Sequence, residues 1–91
     1  MLFANKIKQL REERGLLQRH LAAALEIDTP MYSKIERGNR HAKREQVLEL
    51  AELLNINQEE LLKLWLADKV YDIIDGENNI KEVLNIVAEK L

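Results

Sequence analysis

The side chains able to do chemistry are few, and their types exclude more than they offer. The chain has no cysteine and only two histidines, His20 and His41. A disulfide scaffold, a thiolate nucleophile and a cysteine zinc site are thereby excluded, and an all-histidine metal site is not expected. Neighbouring carboxylates at Glu12-Glu13 and Glu59-Glu60 read as helix-start or surface charges, not as a buried acid–base pair. No glycine-rich phosphate loop, metal-ligand spacing or nucleophile–base set is present, so neither an enzyme nor a cofactor is expected. What remains is a polar, basic run, Asn39-Arg40-His41-Ala42-Lys43-Arg44. Alone, such a run is most often a solvated face. Placed beside a nucleic-acid reading element, it would neutralise phosphates.

The charge distribution favours the second role. The formal net charge of the 91 residues is −2, which argues weakly against a polyanionic partner. Residues 1–44 nevertheless hold ten Lys and Arg against five acids, and residues 45–91 hold four against eleven. A +5 end and a −7 end make a strong dipole whose basic side could face nucleic acid.

Those residues must be positioned by helices. There is one proline, Pro30, and three glycines, and no stretch alternates apolar and polar residues as a strand would. The spacing predicts helices over about Ala4–Arg14, Gln18–Leu25, Asp28–Gly38, Arg44–Leu54, from about Asn57 to Ile74 with a break near Ala67-Asp68, and Ile80–Leu91. Asp28-Thr29-Pro30 is a strong start signal, with an acceptor side chain followed by proline in the first turn. The expected fold is all-α, a compact five-helix bundle with an additional C-terminal helix. At 91 residues one small domain is expected, with 1–65 as its reading part and 66–91 as a helical extension. No apolar run approaches the roughly 18 residues of a membrane span, and Met1-Leu2-Phe3 leads at once into polar and charged residues. A cytoplasmic protein without membrane association is expected.

The informative unit is the second helix, a three-residue connection (Glu26-Ile27-Asp28) and the third helix, with Ala22, Ala23 and Ala24 permitting a close crossing. This reads as a helix-turn-helix. Taken with Ile7-Lys8-Gln9-Leu10-Arg11-Glu12-Glu13-Arg14-Gly15-Leu16-Leu17-Gln18, Leu21-Ala22, Tyr32-Ser33-Lys34-Ile35-Glu36-Arg37-Gly38 and Leu48-Glu49-Leu50-Ala51, it resembles the lambda-repressor-like XRE family of DNA-binding domains over about residues 5–64. The resemblance implies double-stranded DNA as partner, with the third helix in the major groove. Base-facing residues would be Thr29, Pro30, Met31 and Lys34, with Ser33 near the backbone and Asp28 reaching a cap or a base edge. Gln18 would touch a phosphate while bracing the reading helix, and Asn39, Arg40, Lys43 and Arg44 would lie along phosphates. Arg11 and Glu36 match a structural ion pair. The chain departs from the pattern at Leu17, which cannot cap the second helix through its side chain, and at Glu26, where glycine is common. Tyr32 could stack on the DNA backbone or pack half-buried, His20 could touch phosphate or stand at the surface, and His41 is open in the same way.

Beyond residue 65 the apolar stripe Ile80, Val83, Leu84, Val87 and Leu91 on a short helix needs cover. A homodimer is expected, since operator palindromy mirrors a protein two-fold axis. Its candidate interface residues are Trp65, which could equally belong to the core, and Leu66, Val70, Ile73, Ile74, Val83, Leu84 and Val87. A regulator of transcription, expected to repress, heads the hypotheses. An antitoxin or other interaction module, whose C-terminal helices bind a partner protein, is the alternative.

Overall fold

The computed structural model describes all 91 residues and contains helices and no strand. The order is α1 (Leu2–Glu13), α2 (Gln18–Ala24), α3 (Thr29–Glu36), α4 (Arg44–Leu53), α5 (Gln58–Ile74) and α6 (Ile80–Glu89). The all-α expectation holds, with five helices and one more at the C-terminus. No helix is long and apolar enough to cross a membrane.

The start of α1 and the continuity of α5 differ from the sequence expectation in ways tied to Asp68, and α3 and α6 end earlier than expected. α1 begins at Leu2, ahead of Ala4, because the Asp68 carboxylate accepts from the Leu2 and Phe3 backbone N–H groups at 2.9 Å each. The first N–H groups of a helix lack intrahelical partners and carry the positive end of its dipole. Met1 supplies no side-chain cap, so an acid from α5 does it. The break expected near Ala67-Asp68 is absent for the same reason. Asp68 follows Leu61 and Trp65 on the inner face of α5 and is 5% exposed, so the helix runs through to place it. α3 is shorter than expected: Arg37 is its C-cap, and Gly38 takes φ +77°, packed so closely that a Cβ there would lie 2.6 Å from Met1 Cγ. α6 ends at Glu89, two residues short of Leu91.

One core joins α1 to α5. It takes Phe3, Ile7 and Leu10 from α1, Leu21 and Ala22 from α2, Tyr32 and Ile35 from α3, Val47, Leu50 and Ala51 from α4, and Leu61 and Trp65 from α5, with Ala42 entering from the α3–α4 loop. Each large apolar side chain removed from water contributes roughly 1.5–3 kcal/mol. α6 contributes no buried residue. The radius of gyration is accordingly 14.7 Å, against about 12 Å for a compact chain of this length.

Candidate nucleic-acid interface

The connection between α2 and α3 closes in four residues. Ile27 N–H returns to the Ala22 carbonyl at 3.0 Å and Glu26 N–H to Ala23 at 3.1 Å, with Glu26 in the left-handed region at φ 58°. A glutamate thus occupies a conformation that costs an L-residue of this kind roughly 1–2 kcal/mol. Asp28 then caps α3, its Oδ1 accepting from Met31 N–H at 2.7 Å. Of the two roles open to it, its carboxylate takes the cap.

With Tyr32, Ile35 and Glu36 buried, the helical period turns Pro30, Lys34 and Arg37 to the opposite side. Thr29, Pro30, Lys34 and Arg37 are exposed, while Met31 and Ser33 are half-buried on the two flanks. Arg37, one residue past the helix, shares the Lys34 face at i+3; it was not among the residues expected on this surface, although helical spacing alone places it there. Tyr32 is fully buried, which excludes stacking on a DNA backbone.

Beneath α3 a charged network fixes its orientation. Arg11 donates to Glu36 from Nε (3.2 and 3.0 Å) and Nη2 (2.8 Å), and to the Leu16 carbonyl from Nη1 (2.8 Å). Gln18 Nε2 donates to the same Glu36 carboxylate at 3.3 Å. One carboxylate at the end of α3 therefore gathers α1, the turn after it and the start of α2. Burial pushes the Glu36 carboxyl up, but Arg11, the adjacent Tyr32 hydroxyl and Gln18 outweigh it and hold it below its ordinary value. Burial, with the neighbouring Glu36 charge, pushes the Tyr32 hydroxyl far up. That hydroxyl sits beside Glu36 but outside hydrogen-bonding geometry, the one buried side-chain polar atom without a partner.

Cations border this network. Lys8 and Arg37, with Asn5, Gln18 and Glu36, line a wholly polar cleft of about 210 Å³. Asn39, Arg40, Lys43 and Arg44 are all exposed in or just after the α3–α4 loop. Arg44 is partly committed elsewhere, its guanidinium 5.2 Å from the Trp65 ring centroid. His41 Nε2 is paired with Asp72 Oδ2 at 2.6 Å. His20 serves α2, its Nδ1 accepting the Leu17 N–H at 3.0 Å, where Leu17 offers no capping side chain. Gln46 does the same for Lys43 N–H at the start of α4.

The residues expected at a dimer face divide. Trp65 is a correction. It is 4% exposed within a single chain, its Nε1–H donates to the Ala42 carbonyl at 2.8 Å, and Lys69 Nζ stands 3.8 Å from its ring centroid. A side chain already covered by its own chain cannot supply interface area. Leu66, Val70, Ile73, Val83, Leu84 and Val87 are exposed, joined by Tyr71 and Ile86, and Ile74 is half-buried.

Comparison with known proteins agrees with this architecture. The family described as "Helix-turn-helix domain" matches residues 2–64. The chain is 27% identical over 84 residues to the HTH-type transcriptional regulator YqaE of Bacillus subtilis, covering 92% of this chain and 68% of that protein. It is 33% identical over 63 residues to the HTH-type transcriptional regulator DdrOP3 of Deinococcus deserti, covering 69% of this chain and 49% of that one. The chain thus spans about two thirds of the first relative and about half of the second. No solved structure matches it significantly. Given a tight α2–α3 turn, a capped α3 with a buried and an exposed side, and a family match that spans α1 to α4 and the first turns of α5, the chain belongs to the helix-turn-helix domain family.

Proposed function

We propose that this protein is a sequence-reading DNA-binding regulator of transcription, working as a homodimer on a palindromic operator and repressing from it. The observation that carries this is the treatment of α3. Its inner side is locked through Glu36 to α1 and to the start of α2, while Thr29, Pro30, Lys34 and Arg37 face solvent. Lys34 can donate to guanine O6 or N7, and Pro30 or Met31 can pack on a thymine methyl. Gln18, Lys8, Arg37, Asn39, Arg40, Lys43 and Arg44 supply phosphate contacts, which position the protein without reading sequence. Both curated relatives are named as transcriptional regulators, in line with this assignment. A chromosomal target implies the cytoplasm as its compartment.

The homodimer rests on the exposed apolar side chains of α5 and α6. Leu66, Val70 and Ile73 recur on one face of α5, and Val83, Leu84 and Val87 on one face of α6. Exposed apolar helix faces of this kind mark an interface. A second copy would cover them with an isologous contact and set two α3 helices about one DNA turn, roughly 34–36 Å, apart. The same patch supports the second reading, in which residues 66–91 hold a partner protein as an antitoxin would.

Selection of bound duplexes from a random pool tests the function. Enrichment of an inverted repeat with half-site centres about 10 base pairs apart is the expected result. Recovery of unenriched sequences would overturn it. Sedimentation showing only monomer at tens of micromolar would move the balance to the second reading.

A further inference from the structure

The α3–α4 loop carries Asn39, Arg40 and Lys43, yet it does little to hold itself. Residues 40, 41 and 42 take part in no backbone–backbone hydrogen bond, as donor or acceptor. What fixes them comes from α5. The Ala42 carbonyl, on a residue 3% exposed, accepts Trp65 Nε1–H at 2.8 Å. One residue earlier, His41 Nε2 meets Asp72 Oδ2 at 2.6 Å. Trp65 and Asp72 are two helical turns apart and share a face of α5, with Asp68 between them tied to the start of α1. Lys69 and Arg44 lie against the Trp65 ring and keep it in place.

We infer that Trp65 and Asp72 are positioning residues for the loop, setting where Arg40 and Lys43 stand relative to α3. This rests on the DNA-binding function proposed above. The 40–42 segment, which has no backbone bonds of its own, would otherwise pay to become ordered each time the loop met phosphate. The other side of α5 carries Leu66, Val70 and Ile73, so one rigid helix connects the phosphate-facing loop to the apolar patch.

Simple electrostatics and positioning predict opposite signs, which makes Asp72→Asn the decisive variant. Removing an acid from a DNA-binding protein should tighten binding if charge alone matters. If Asp72 positions the loop, the selected duplex is bound about threefold more weakly at equal salt, the scale of one side-chain hydrogen bond. The dependence of log affinity on log salt should flatten by about 0.9 for each phosphate that is no longer neutralised. Trp65→Phe keeps a ring under the cations but removes the N–H, and should act in the same direction. Asp72→Glu should recover most of the loss. Thermal midpoint and sedimentation of Asp72→Asn should match wild type.

Limited trypsin digestion supplies a readout independent of DNA. Cleavage after Arg40 and Lys43 should accelerate severalfold in Asp72→Asn, while cleavage after Lys6 and Lys8 is unchanged. Wild-type protein that failed to prefer any duplex would overturn the functional proposal, and the digestion would still decide the loop. Unchanged cleavage at Arg40 and Lys43, or tighter DNA binding at an unchanged salt slope, would overturn the positioning role.

Discussion

Replacing Glu36 with Gln is a sharp test of how α3 is held. The wild-type carboxylate side chain is 2% exposed and its Arg11 partner 13%, so the pair is not a surface ion pair of 0–1 kcal/mol. Removing one member of a buried pair costs about 3–5 kcal/mol, because the other charge is left uncompensated. Glutamine keeps one acceptor oxygen and Arg11 retains the Leu16 carbonyl, which sets the expected loss at the low end, about 3 kcal/mol. A chain of this length has roughly 5–14 kcal/mol to lose. In urea, the midpoint should fall by about 2 M with m unchanged, for m near 1.5 kcal/mol/M. The pH dependence gives an independent sign. Glu36 titrates below its ordinary 4.5 in the folded state, so its contribution is complete above that value. It is lost as pH falls through the depressed folded value, where protonated Glu36 resembles glutamine. The gap between wild type and Glu36→Gln should therefore be full at pH 7 and close in acid. A gap under 1 kcal/mol at pH 7, or one that stays constant into acid, would refute the anchoring role.

Three further substitutions probe individual contacts. Tyr32→Phe should change stability by less than about 1 kcal/mol in either direction, since the hydroxyl has no formed hydrogen bond to lose; a loss near 2 kcal/mol in denaturant titration would show that it donates to Glu36. Glu26→Gly relieves the left-handed backbone of the α2–α3 turn and should stabilise by about 1 kcal/mol, raising the thermal midpoint by roughly 4–8 °C; a lowered midpoint contradicts the turn geometry. Asp68→Ala strips two acceptors from the start of α1 and should cost about 2–3 kcal/mol, with hydrogen exchange at Leu2 and Phe3 accelerating first.

The helix-turn-helix was legible because its signals are local. Asp28-Thr29-Pro30 announces the start of α3, whereas the full burial of Tyr32 was left open by the sequence and shows only in the packed structure. The Arg11–Glu36 pair came from resemblance rather than from spacing, and its geometry is that of a structural pair. What was not legible was long-range. Asp68 lies 66 residues from the N–H it receives, and Asp72 lies 31 residues from His41. The available clue was an acid on the buried stripe of α5 at i+3 from Trp65, which is costly unless it finds donors. Trp65 stays open between core and interface in the sequence, because an apolar residue at the end of the family match could serve either, and only the position of Ala42 decides between them. His20 and Gln46 were missed as caps because their acceptors reach backward, to N–H groups three residues earlier.

Affinity for the selected duplex and for a random one, each over a range of salt, compares wild type with Lys34→Ala and Arg40→Ala. Lys34→Ala should lose about 1–3 kcal/mol on the selected site and little on random DNA, collapsing the preference between them. Arg40→Ala should weaken both alike and flatten the salt slope by about one. If Lys34→Ala weakens both duplexes equally, or neither, α3 does not read bases and the central claim fails.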